Sequence, residues 1–242
     1  MRDGQKYLLW ITASVLAFAS AGCCDKDLVL GVRENSTGGA AIVSLGTAAS
    51  FGVLAGSTVT NTGATVVTGD LGVDPGASVT GFPPGTVTGS THVNDATSAQ
   101  AKLDLTTAFN DAAARTTGLL TVSGDLAGLT LSPGLYASTS SLANSGTLTL
   151  NALGDPNAVF IILAASTLTT GPGSQVVLAG GAKASNVFWQ VGSSATLGTN
   201  SSFKGTILAD QSITLNTGAR LDGRALTQVG AVTLDANAVT VP

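Results

Sequence analysis

Charge is scarce in this chain. Lys, Arg, Asp and Glu together make up 10% of its 242 residues, against about 25% in ordinary globular proteins. His92 is the only histidine and Glu34 the only glutamate, and the two cysteines, Cys23 and Cys24, are adjacent near the amino terminus. The rest of the chain therefore has no thiol nucleophile, no disulfide and no Cys/His zinc set. A Ser-His-Asp triad would depend on His92, and a catalytic carboxylate pair would have to be two aspartates. Aromatic residues are 5% of the chain, few for a sugar-binding groove. The net charge of −4 leaves no basic footprint for nucleic acid. Gly180 to Ser185 superficially resembles a phosphate-binding loop, but the required Gly-Lys-Ser/Thr ending is missing. These absences point away from an enzyme and from any cofactor.

What the chain does have is 31 glycines and many Thr, Ser and Ala, a composition suited to short strands joined by tight turns. At the amino terminus, Arg2 and Lys6 precede an apolar run from Tyr7 to Ala19 and then Ser20-Ala21-Gly22-Cys23. This is the layout of an export signal, and its run is short of the ~20 residues that span a bilayer. The ending resembles a lipobox, which would make Cys23 an acylated first residue, although Ser20 stands where leucine is commoner. Residues 1–22 are thus expected to be a signal peptide. The following stretch to residue 44, with no clear periodicity, is expected to be a flexible tether to a domain spanning 45–242. Export implies a cell-surface or secreted protein, with membrane attachment through Cys23.

The carboxy-terminal half repeats itself. Phe160-Ile161-Ile162-Leu163, Val187-Phe188-Trp189-Gln190, Thr206-Ile207-Leu208-Ala209 and Arg224-Ala225-Leu226-Thr227 read as equivalent strands, the last three starting 19 and then 18 positions apart. The longer first step fits an extra loop at Gly180–Ser185. Ala195-Thr196-Leu197, Ile213-Thr214-Leu215 and Val232-Thr233-Leu234 form a second series, echoed at Ser166-Thr167-Leu168 and Gly146-Thr147-Leu148. A third series runs through Val176-Val177-Leu178, Phe203-Lys204, Leu221-Asp222 and Val239-Thr240-Val241. Three short strands in about 18 residues describe one coil of a parallel β-helix, whose coils bury their inward side chains only by stacking.

Alternation along a strand then assigns the faces. With Leu197, Leu215 and Leu234 inward, Thr196, Thr214 and Thr233 point outward in one column, on rungs ~4.8 Å apart. Thr167 and Thr169, and Thr58 and Thr60, extend the ladder by two threonines per strand. Threonine stabilises sheets in its own right, so any single strand carries little weight. A whole column nearly free of Lys, Glu and Asp is unusual for a solvent-facing sheet; only Asp235 lies at its margin.

One helix is expected within 94–117, capped by Asn94 or Asp95 and ended by Gly118. Its apolar face is read as Ala99, Leu103, Thr106, Phe109 or Asn110, and Ala113, with Lys102, Asp104, Asp111 and Arg115 toward water. Of Phe188 and Trp189, adjacent on a strand, one should be core and the other exposed or under the helix. Asp70 and Asp74 read as Gly-Asp turn residues rather than calcium ligands, and His92 as a loop residue rather than a base.

Several blocks resemble the bacterial and fungal ice-binding proteins of the DUF3494 family. They are Leu45-Gly46-Thr47-Ala48-Ala49-Ser50-Phe51-Gly52-Val53-Leu54, Val67-Thr68-Gly69-Asp70-Leu71-Gly72-Val73, residues 108–115 and 129–136, Gly180 to Val191, and Gly223-Arg224-Ala225-Leu226. The resemblance implies a mostly β fold: a right-handed parallel β-helix of triangular cross-section, with discontinuous coil order and one long α-helix alongside. It also implies a flat Thr/Ser-rich face that adsorbs to ice, giving thermal hysteresis or inhibiting recrystallisation, with no enzyme activity. Thr58, Thr60, Thr167, Thr169, Thr196, Thr214 and Thr233 are the candidates for that face. A monomer is expected, and the competing role is an extracellular polysaccharide-binding or adhesin solenoid.

Overall fold

The computed structural model describes residues 40–242. The export signal expected over 1–22, Cys23, and the tether up to residue 39 lie outside the described residues. The domain is a parallel β-helix of three sheets with one α-helix, α1 (Ala96–Ala114), against one of them. Every strand pairing is parallel.

The ladder sheet has eight strands. Their spatial order runs Gly124–Asp125, Leu142–Asn144, Leu168–Thr170, Ala195–Leu197, Ile213–Leu215, Val232–Asp235, Thr58–Thr62, Ser78–Thr80. The amino-terminal coils thus stack beyond the carboxy-terminal ones, and the order along the stack is discontinuous, as the resemblance implies. The chain leaves those coils at Val93 and re-enters at the opposite end of the stack at Leu119. A 19-residue helix covers ~28 Å at ~1.5 Å per residue, most of the distance that eight or nine rungs at ~4.8 Å require. This return path explains why the only α-helix described in an otherwise β chain has this length.

The other two sheets share the strands Ser202–Ala209 and Arg220–Thr227, eight residues each, which turn a corner at Gly205 and Gly223. Those glycines face each other across one rung. A Cβ on Gly223 would lie 1.9 Å from the Gly205 carbonyl oxygen, so any side chain there would push the coils apart. The column Phe188, Thr206, Arg224 has a step of 18. The expected alignment of Val187 with Thr206 is therefore one residue out, because Val187 is an inward corner residue whose neighbour in the next coil is Gly205. A second correction concerns Thr147 and Leu148. Their strand, Thr147–Asn151, belongs to the third sheet, and Leu142–Asn144 takes the place in the ladder sheet.

Inside the solenoid, Val59, Leu142, Leu168, Ile213, Leu215, Val232 and Leu234 stack with Phe160, Trp189, Phe203 and their neighbours in one core. Trp189 is fully enclosed there, its Nε1 donating to the Lys204 carbonyl at 2.9 Å. Phe188 points the other way, into a second apolar layer between sheet and helix. That layer corrects the expected helix face. The buried positions are Ser98, Ala101, Lys102, Leu105, Ala108 and Ala112, while Leu103 is 64% exposed. Alanines permit close approach of the helix to Leu54, Ile161, Leu163, Leu208 and Leu226. Asp95 caps α1 in a reciprocal capping box with Ser98. His92 Nδ1 donates to Asp95 Oδ2, 2.8 Å away, which makes it a buttress of the cap. The helical hydrogen bonding ends at Arg115, before Gly118.

The domain also starts earlier than Leu45. Val43 is buried beneath the helix, and the Arg115 guanidinium donates to the carbonyls of Ala41 and Ile42. Residues 40–44, assigned to the tether on sequence, pack as part of the domain because Val43 and Leu45 alternate onto the same side.

Candidate functional site

Each coil contributes two to five residues to the ladder sheet, and in Leu168–Thr170, Ala195–Leu197 and Ile213–Leu215 the middle residue faces solvent between two inward ones. Register pairs Thr169 with Thr196, Thr196 with Thr214, Thr214 with Thr233, Thr233 with Thr60, and Thr60 with Thr80. Six threonines from six coils thus form one unbroken column spanning ~24 Å at ~4.8 Å per rung. Five of them were legible from alternation. Thr80 was not singled out, although Ser78-Val79-Thr80 has the same outward-inward-outward pattern as Thr58-Val59-Thr60.

Thr58 and Thr167 occupy a second, parallel column, one step of alternation before the first. Thr58 stands beside Ser78, and Thr167 neighbours Ser141 and Ser194. The two columns differ chemically. In the part of the second column from Ser141 to Ser212, hydroxyls are engaged within the protein: Thr167 Oγ1 donates to Ser141 Oγ at 2.8 Å, Ser194 Oγ accepts from Ser212 N at 3.3 Å, and Ser212 Oγ accepts from Ala231 N at 3.3 Å. The six first-column hydroxyls have no hydrogen-bond partner among the described residues, and all are exposed or half-buried. Their methyl and hydroxyl groups are presented outward together.

Charge is confined to the margins. Asp125, at the far end of the column, precedes Ala143, and its carboxylate is occupied by Ser145 and by the Ala127 amide at 3.0 Å. Those hydrogen bonds, from Ser145 above all, hold its pKa below the usual carboxylate value. Asp235 flanks Thr62 and accepts from the Thr217 hydroxyl. The third sheet is different: Lys204 and Asp222 pair at 3.3 Å on its outer face, with Arg220 nearby. The helix-covered sheet has no free outer face along its centre. Of the three sides, only the ladder sheet combines regular outward side chains with an uncharged middle.

Among the described residues no group of three or more His, Cys, Asp or Glu is placed to hold a metal ion. Asp70 Oδ1 accepts from the Ser90 amide at 2.8 Å, a contact with the adjacent coil rather than within a local turn.

The family model described as Ice-binding-like matches residues 53–240. The chain is 54% identical over 202 residues to an ice-binding protein of Nostoc sp. (strain HG1), covering 83% of this chain and 75% of that one. An ice-binding protein of Flavobacterium frigoris (strain PS1) is 35% identical over 216 residues, covering 83% and 77%. Among solved structures, an ice-binding protein from an Antarctic biological consortium superposes with a TM-score of 0.83 at 59% identity, over 84% of this chain and 93% of that one. That of the ascomycete Antarctomyces psychrotrophicus gives 0.81 at 46% identity, over 84% and 99%. Discontinuous coil stacking, the returning helix and these extended identities have one common account: the chain belongs to the Ice-binding-like family.

Proposed function

We propose that this protein adsorbs to ice through the ladder sheet. The single observation that carries the reading is the in-register column Thr169–Thr196–Thr214–Thr233–Thr60–Thr80, whose hydroxyls have no partner among the described residues and whose middle carries no charge. Ice is an uncharged, regular array of water molecules. Methyl groups at fixed spacing keep the first water layer from being organised around strong competing polar groups, while hydroxyls at the same spacing anchor that layer. Charged side chains would hold their own hydration shells instead. A rigid backbone supplies the flatness, since each rung is tied to its neighbours by the ladder of main-chain hydrogen bonds.

Thr58 and Thr167 enter this proposal as flanking residues that widen the contact, with less hydroxyl capacity to spare in Thr167. The role is binding without catalysis. It needs no cofactor, nucleic acid or second subunit. The protein would act after export, either free or held at a membrane by an acylated Cys23.

The test is direct. The purified protein is cooled in the presence of a seed crystal, and thermal hysteresis and crystal shape are recorded. Faceted crystals with a measurable hysteresis gap are the expected result. Rounded crystals and no gap, together with retention on immobilised glycans, would replace this proposal with a polysaccharide-binding role.

A further inference from the structure

The coil stack is covalently continuous at every junction but one. Elsewhere each coil passes into the next through its own backbone. Where the first coil, beginning at Phe51, meets the last, ending near Thr240, residues in contact lie 171 to 175 positions apart in sequence. No chain crosses this seam, yet the threonine column does: Thr233 is on one side and Thr60 on the other. With no covalent link, alignment of the ladder there depends on non-covalent contacts: packing of Val59 and Leu54 in the apolar layers they share with Val232 and Leu226, and side-chain and main-chain hydrogen bonds.

One set of those bonds, joining Thr65 and Thr68 to Asn237, Val239 and Val241, lies at the corner after the ladder strands, and a second set lies at the corner that leads into both ladder strands, Val232–Asp235 and Thr58–Thr62. The Gly230 carbonyl accepts from Gly56 N at 3.0 Å, Ser57 N at 3.1 Å and Thr227 Oγ1 at 2.8 Å. Thr227, fully buried, also accepts from Gly56 N at 3.2 Å. From the helix, Lys102 reaches this corner. Its Nζ donates to the Thr227 carbonyl and, at 2.5 Å, to the Gln228 carbonyl. One helical turn on, Thr106 Oγ1 donates to Gln228 Oε1 at 2.8 Å.

Lys102 is only 8% exposed, among Ala101, Leu105 and the apolar layer. An ammonium there carries a desolvation cost, and burial pushes its pKa down to about 8 against the opposing influence of Asp74. A methionine would fill the same space without that cost. What the lysine adds is a pair of donors aimed at the seam corner.

We infer that Lys102 is a positioning residue for the ladder: through the Thr227–Gly230 corner it keeps Thr60 and Thr80 in plane with Thr233. The inference rests on the ice-adsorbing reading of the ladder sheet. It is tested in the full chain with Lys102→Met, Lys102→Arg, a Thr60→Ala/Thr80→Ala variant, and that variant combined with Lys102→Met. Circular dichroism establishes folding for each. Hysteresis of Lys102→Met is expected to fall to the level of the Thr60→Ala/Thr80→Ala variant, with Lys102→Arg recovering part of the loss. Adding Lys102→Met to the two alanines should change nothing further, as coupled sites require. An equal fractional loss in both backgrounds overturns positioning in favour of a general stability effect.

Amide hydrogen exchange supplies a readout independent of ice. In Lys102→Met, Gly56, Ser57 and the Thr58–Thr62 amides should exchange faster, while those of Ala195–Leu197 keep their protection. Unchanged exchange at Gly56 and Ser57 overturns the inference even if the ladder binds ice. Faster exchange there, with no hysteresis in any variant including the unaltered chain, upholds it and removes the ice reading instead.

Discussion

Leu215 and Thr214 are adjacent on one strand and should respond oppositely to truncation. Leu215 is 1% exposed and stacks between Leu197 and Leu234 in the solenoid core. Leu215→Ala removes its packing and leaves a void that neighbouring rungs, fixed by main-chain pairing on both sides, cannot close. Such truncations cost ~2–5 kcal/mol. Thr214 points outward without a hydrogen-bond partner among the described residues, so Thr214→Ala should change stability by only about 0.5 kcal/mol. For a domain of this size, each kcal/mol shifts the midpoint by roughly 2–4 °C, so about 3 kcal/mol lowers Tm by roughly 6–12 °C. Thermal scans with parallel urea titrations measure both variants, the urea slope confirming that the extent of unfolding is unchanged. An equal or larger loss in Thr214→Ala would refute the assignment, because a slip of one residue exchanges the two faces of the strand.

Asp95 is held by the Ser98 amide and by His92, which lowers its pKa to about 2. Its contribution to stability is complete above the unfolded value of 3.8 and is lost as pH falls toward 2. The Tm advantage of the unaltered chain over Asp95→Ala should therefore be constant from neutral pH down to the unfolded value of 3.8 and shrink away as pH falls from there toward about 2. Lys102 works in the opposite range. Between about 8 and 10.5 the unfolded chain retains a proton that the folded chain has released, so its share of the stability rises with pH across that window. In Lys102→Met that part of the rise should be absent from urea midpoints measured over the same range. At the amino terminus, Cys23→Ser should move the protein from the membrane fraction to the soluble fraction. An unblocked amino terminus on an already soluble unaltered protein would rule out acylation.

The ladder was legible because alternation is a strict period-two rule: once Leu197, Leu215 and Leu234 were set inward, the threonines between them had one direction left. Register between coils was less secure. Val187 looked like the start of a strand equivalent to Thr206, and nothing in its hydrophobicity distinguishes a corner residue from a strand residue. Gly205 opposite it was the available signal. The helix face was inverted for a related reason. Ala101, Leu105, Ala108 and Ala112 have the right spacing, but alanine is nearly neutral between water and core, so Leu103 dominated the pattern although it lies outside. Lys102 was assigned to water on charge alone, and its carbonyl partners are 125 and 126 positions away, beyond any local rule. The placement of the first coils after the last came from family resemblance, since no periodicity links Thr60 to Thr233.

The central claim is that the column centred on Thr214 is the surface that meets ice. Its most direct test compares hysteresis of the unaltered protein with Thr214→Tyr and Asp222→Tyr. The first places a ring in the middle of the ladder and prevents flush contact, while leaving the core beneath it intact. The second places the same ring on the third sheet, where Asp222 pairs with Lys204. Both should stay folded, with stability within about 0.5 kcal/mol for ordinary surface changes. A steep loss of hysteresis in Thr214→Tyr and near-full activity in Asp222→Tyr is the predicted result. Full activity in a folded Thr214→Tyr protein would contradict the claim, reduce the threonines to a sheet-stabilising column, and move the ice-binding surface to another side of the solenoid.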